Sequence, residues 1–107
     1  MATIPLTANA NGSFRWETVT GDDVGEALLL PRGGTITTVH VIGTFGAALT
    51  LQGSVDGENW FTLVDMNGND VSFIAAGAAE ISTAARAIRP SAASSVSDVD
   101  VHIAINA

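Results

Sequence analysis

The sequence predicts an all-β protein, an antiparallel β-sandwich of about eight short strands. Three observations lead there. Apolar and polar residues alternate with a period of two in several windows, most cleanly in DVDVHIAI at 98–105. β-branched residues crowd TITTVHVI at 35–42, as a pleated surface favours. Clusters of Gly, Asp, Asn and Pro separate these windows at short intervals.

Taken in order, MATIPLTANANG at 1–12 has no period and reads as an extended N-terminal arm ahead of a single domain over 13–107. Its apolar Ile4 and Leu6 could dock on the domain or on a neighbour. SFRWETVT at 13–20 alternates, with Phe14, Trp16, Thr18 and Thr20 on one face and Arg15, Glu17 and Val19 on the other. GDDVG at 21–25 is a turn, EALLLP at 26–31 a short strand stopped by Pro31, and PRGG at 31–34 another turn. After the strand at 35–42, Gly43 and Gly46 bracket a loop. AALTLQGSV at 47–55 then turns Ala47, Leu49, Leu51, Gly53 and Val55 to one face.

Asp56-Gly57 predicts a tight type I′ hairpin, because glycine takes positive φ at little cost. Trp60, Phe61, Leu63 and Val64 form its return strand, DMNGND at 65–70 is a turn, and VSFI at 71–74 a strand. In AAGAAEISTAARA, 75–87, the alanines suit a helix, but Gly77 interrupts and Ile81, Ser82 and Thr83 favour strand. Loop and a short strand are expected there. RAIRP at 86–90 is a strand ending at Pro90, and SAASSVS at 91–97 a polar loop. The last strand points Val99, Val101, Ile103 and Ile105 inward and Asp98, Asp100, His102 and Ala104 outward.

Composition bounds the function. The chain has 107 residues, 47% hydrophobic and 14% charged, which suits one folded domain and argues against disorder. An apolar content this high points to burial against partners as well as in a modest core. Four arginines, no lysine and eleven acids leave a net charge of −7. Phosphate backbones and anionic lipids need basic partners, so neither nucleic acid nor membrane is expected. The chain has no cysteine, which excludes disulfides, thiolate metal sites and a cysteine nucleophile. No stretch has the pattern of a signal peptide or the length of a membrane span.

Few residues suggest chemistry. In SVDGENW, Trp60 is first a core anchor beside a turn; read as a site, it would stack a sugar ring with Asp56, Glu58 or Asn59 on the hydroxyls. Phe14 and Trp16 share a strand face and, with Ile4 and Leu6, are candidate contacts to a partner. Arg86 and Arg89, half of the basic residues, could pair with carboxylates across an interface. Asp65, Asn67, Asn69 and Asp70 lack the spacing and closing Glu of a calcium loop and read as a plain turn, as do Asp22 and Asp23. His40 and His102 face outward with no HxH or HxxxH spacing. With no nucleophile elbow, phosphate loop or dinucleotide motif, no catalytic residue, cofactor or metal is assigned, and no enzyme is expected.

GTFGAALTLQGSVDGENWFTLVDMNGNDVSF at 43–73, with ARAIRP at 85–90 and SDVDVHIAI at 97–105, resembles a group of small tailed-bacteriophage virion proteins. The Ser-x-Asp-Gly-x-x-Trp hairpin and the later arginine strand are also similar to galactose-binding-like jelly rolls, so the resemblance implies a sandwich of jelly-roll type. Where those relatives often carry an aromatic between the two arginines, this chain has Ala87 and Ile88. The resemblance implies a structural role: a capsid decoration or cement protein, made in the host cytoplasm and located on the capsid surface. Its partners would be the major capsid protein or other virion proteins, and it would be a homo-oligomer, dimer or trimer. The alternatives are a tail, baseplate or head-fibre component, or a carbohydrate-binding module for host attachment.

Overall fold

The computed structural model describes residues 3–10, 12–30, 35–83, 85–93, 96 and 98–106. Among them the backbone forms strands and no helix. In chain order these are β1 (Thr3–Ile4), β2 (Leu6–Ala8), β3 (Phe14–Val19), β4 (Val24–Gly25), β5 (Leu28–Leu29), β6 (Thr35–Thr44), β7 (Leu49–Ser54), β8 (Trp60–Thr62), β9 (Ser72–Phe73), β10 (Gly77–Thr83), β11 (Ala87–Ala92) and β12 (Asp98–Asn106).

Two sheets pack face to face. One runs β10-β6-β12-β3-β2; the other runs β1-β4-β11-β7-β8, with β5 also on β11 and β9 also on β7. The chain passes repeatedly from one sheet to the other, and the result is the all-β sandwich that the patterning predicts. Among the described residues every strand pair is antiparallel except β1 with β4. Between the sheets, Trp16, Val19, Val39, Val41, Ile81, Ile88, Val99, Val101 and Ile103 are at most 1% exposed. Each such side chain contributes on the order of 1.5–3 kcal/mol through its burial.

The structure departs from the alternation expected in β3. Trp16 and Val19 both face the core, although they are three residues apart. The reason is local. Thr18 has φ of 56°, and the register between β12 and β3 shifts between Val99 and Val101. A bulge there restarts the two-residue period and turns Val19 inward. Asp100 Oδ1 accepts the Thr18 amide at 2.9 Å, so the displaced donor is satisfied.

The arm expected over 1–12 is extended, but its described part belongs to the sandwich. β1 pairs with β4 in one sheet, β2 pairs with β3 in the other, and Pro5 lies between them. The Glu26 amide donates to Ile4 O at 2.8 Å, and the Leu6 amide to Glu26 Oε1 at 2.9 Å.

Over 75–87, where loop and a short strand are expected, the strand is longer than the sequence suggests. β10 pairs with β6 over seven residues, Gly77 with Val41 through Thr83 with Thr35. Pairing with a long β-branched strand outweighs the weak intrinsic preference of alanine. β11 likewise runs past Pro90 to Ala92. Pro90 is opposite Leu51, whose own amide donates away from β11, to Val71 O. On its other side β5 ends its pairing at Ile88 and β4 begins at Ser91. The missing proline donor therefore falls in a gap where no ladder bond is needed. The PRGG turn at 31–34 lies outside the described residues, as does part of the 91–97 loop.

Candidate functional site

The hairpin SVDGENW is wider than a two-residue turn. β7 stops at Ser54 and β8 starts at Trp60, leaving a five-residue loop, 55–59. Asp56 organises it. Its Oδ1 accepts the amides of Glu58 and Asn59, each at 2.8 Å, and the Ser54 hydroxyl at 3.1 Å; its Oδ2 accepts Asn59 Nδ2 at 2.7 Å. The Gly57 amide donates to Ser54 Oγ at 2.8 Å, with Gly57 at φ of 82°. The Asn59 amide above all, then the Glu58 amide and the Asn59 side chain, hold the Asp56 carboxyl well below the usual carboxylate range. Asp56 wins over the type I′ geometry because a carboxylate accepting several donors stabilises the wider loop.

Trp60 pairs with Ser54 on the neighbouring strand, and Arg89 pairs with Gln52 one strand further in. The Arg89 guanidinium lies 4.1 Å from the Trp60 ring centroid, and its Nε donates to Gln52 Oε1 at 2.9 Å. Burial lowers the Arg89 pKa from its ordinary value. Among the described residues Arg89 makes no ion pair; Arg15 with Glu17 is the pair found there.

This geometry separates the candidate residues. Asp56 and Asn59 are committed to the loop, and Arg89 covers one face of Trp60, so the groups proposed for a sugar are already engaged. Trp16 is fully buried, and its Nε1 donates to Glu26 O at 2.9 Å. It is a core residue and cannot serve as the partner contact expected of it. Ile4, Leu6 and Phe14 are partly buried and pack against the same core, which leaves them only partly available. Arg86 is exposed, while its backbone bridges Ser54 O and the Leu30 amide.

The exposed apolar surface lies elsewhere. Among the described residues, Leu29, Ile42, Val55, Phe61, Val64, Met66 and Ile74 are the large apolar side chains that face solvent, and five of these seven fall within residues 55–74. The alternation puts Val55 on one face with Leu49 and Leu51, but β7 ends before it and the loop carries it out. Phe61 is opposite Gly53 on β8, a three-residue strand at the sheet edge. Met66 sits in the 65–70 turn, held by Asp65 Oδ1, which accepts the amides of Asn67 and Asn69 at 2.8 and 3.0 Å. Beside this turn a shallow cleft of about 320 Å³ is lined by Asp65, Met66, Asn67, Ala78, Ala79 and Glu80. Among the described residues no three His, Cys, Asp or Glu side chains converge on a common point.

Sequence patterning puts these residues in strands and turns without showing which of them face solvent. The available signal was their density around the DG and NG turns. No protein-family model, curated protein or solved structure matches the chain.

Proposed function

We propose that this protein is a structural component of a phage virion, a decoration or cement protein that binds the assembled capsid surface and stabilises it. The observation that carries the reading is that five exposed large apolar side chains, Val55, Phe61, Val64, Met66 and Ile74, fall within one sequence segment, 55–74, which holds β8 and β9. Scattered apolar residues on a surface need no partner, whereas a concentration of them marks an interaction surface. The same stretch overlaps the segment that resembles small virion proteins, residues 43–73.

The mechanism is multivalent. Each copy buries this apolar stretch across a junction between capsid subunits, so that neighbours separate only if the bridging copy also leaves. Dimers or trimers multiply the effect through effective concentration. A net charge of −7 keeps free copies apart at long range. The reading as a carbohydrate-binding module has less support, since the polar groups around Trp60 are engaged within the chain.

Co-sedimentation tests the proposal. The purified protein is mixed with capsids of the phage that encodes it, stripped of small proteins. Saturable binding at a fixed ratio to capsid protein is expected. Binding to isolated tails or baseplates with none to capsids overturns the decoration role in favour of a tail component.

A further inference from the structure

We infer that His40 and His102 form a binding site for a late first-row divalent cation, of the zinc, nickel or copper kind, on the outer face of the five-stranded sheet. Strand register brings the two together. His40 on β6 and His102 on β12 are direct partners in the antiparallel ladder, although 62 residues separate them in sequence. Partners in such a ladder project to the same face with Cβ atoms roughly 4.5–5.5 Å apart. That face is the outer one: Val39 and Val41 flank His40 and are buried, as are Val101 and Ile103 beside His102, while His40 is exposed and His102 half-buried.

The surroundings favour a cation. The row runs Arg15, His102, His40, Ala78 across four strands. Arg15 could repel a metal, but its Nε pairs with Glu17 and its Nη1 donates to Asn9, which draws the guanidinium toward β2. On the other side Ala78 leaves room above the sheet. Asp100, two residues before His102 on the same strand, and Glu80, the partner of Thr38, add negative charge nearby. Imidazole is a preferred ligand of zinc, copper and nickel and a poor one for magnesium and calcium. Among the described residues no third His, Cys, Asp or Glu joins the pair, so water would have to complete the shell.

The test is titration of the purified protein with Zn²⁺ or Ni²⁺ alone, followed by calorimetry and thermal melting. One equivalent is expected to bind, and the melting temperature to rise with metal concentration. His40→Ala and His102→Ala should each raise Kd by at least about tenfold, since losing even an outer partner of a metal ligand costs that much. Both variants should melt like the parent without metal, as both side chains face solvent. Mg²⁺ should have no effect. Absence of binding, or binding that both variants retain, overturns the inference.

Discussion

The guanidinium of Arg89 on β11 stacks 4.1 Å from the ring centroid of Trp60 on β8, with β7 between them. An arginine that the sequence offers as a carboxylate partner is thus held by an aromatic two strands away. A cation over an indole contributes on the order of 0.5–1 kcal/mol at an exposed site and more when desolvated. Arg89→Ala should destabilise the fold by about 1 kcal/mol, and Arg89→Lys by nearly as much, because an ammonium cannot reproduce the planar contact. The variant should also increase iodide quenching of tryptophan fluorescence, with Trp60 as the responding residue, since Trp16 is fully buried. Unchanged quenching in Arg89→Ala would contradict the stacked geometry.

Asp56 ties the hairpin to acid stability. Its carboxyl is depressed in the folded state by donors that the unfolded chain lacks. The stability it contributes is therefore complete above the ordinary aspartate value, about 3.9, and is lost as pH falls below it. Asp56→Asn should be less stable than the parent at neutral pH and should lose less stability on acidification from about pH 5 to about pH 2. Denaturant melts at both pH values measure this, and parallel acid limbs for the two proteins would refute it.

Two glycines should respond differently to the same substitution. A Cβ on Gly25 would lie 2.4 Å from Pro90 Cδ and 2.6 Å from Trp16 Nε1, both packed inside the sandwich. Gly25→Ala should cost roughly 1–3 kcal/mol or more through overpacking. Gly57 has open space around it but φ of 82°, so Gly57→Ala should cost only about 1–2 kcal/mol of backbone strain. A denaturant midpoint unchanged in Gly25→Ala would show that the overpacking is misassigned, and one unchanged in Gly57→Ala would show the same of the backbone strain.

Thr37 is fully buried, and its hydroxyl has no hydrogen-bond partner among the described residues. Thr37→Val keeps the branched shape and removes the unsatisfied group. It should raise stability by about 1 kcal/mol or more. A stability loss on thermal melting would mean that the hydroxyl is satisfied in solution.

The apolar stretch at 55–74 should separate binding from folding. Phe61→Ser and Ile74→Ser replace side chains that are 48% and 77% exposed, so the variants should fold within about 0.5 kcal/mol of the parent. Capsid co-sedimentation should fall in each and be lost in the double variant. Full binding by a folded double variant would place the contact elsewhere on the molecule.

These residues show which parts of the structure are legible in the sequence. β6, β7 and β12 announce themselves because one face is buried and the other wet, so composition alternates with the pleat. The full length of β10 and the continuation of β11 beyond Pro90 do not, because partner strands and a gap between β5 and β4 decide them, and those are tertiary facts. Trp16 reads equally as core or contact until the bulge at Thr18 and the Glu26 carbonyl place it. The Arg89–Trp60 stack and the His40–His102 pair are invisible in sequence for the same reason: strand register, not local spacing, makes them neighbours.

The most direct test of the proposed role is the melting temperature of stripped capsids with and without saturating protein. If the protein bridges capsid subunits, the shell transition should move upward with occupancy and level off at the co-sedimentation ratio, because ligand bound only to the intact shell stabilises it by mass action. An unchanged shell melting temperature at saturating, demonstrated occupancy would contradict the claim that the protein stabilises the capsid.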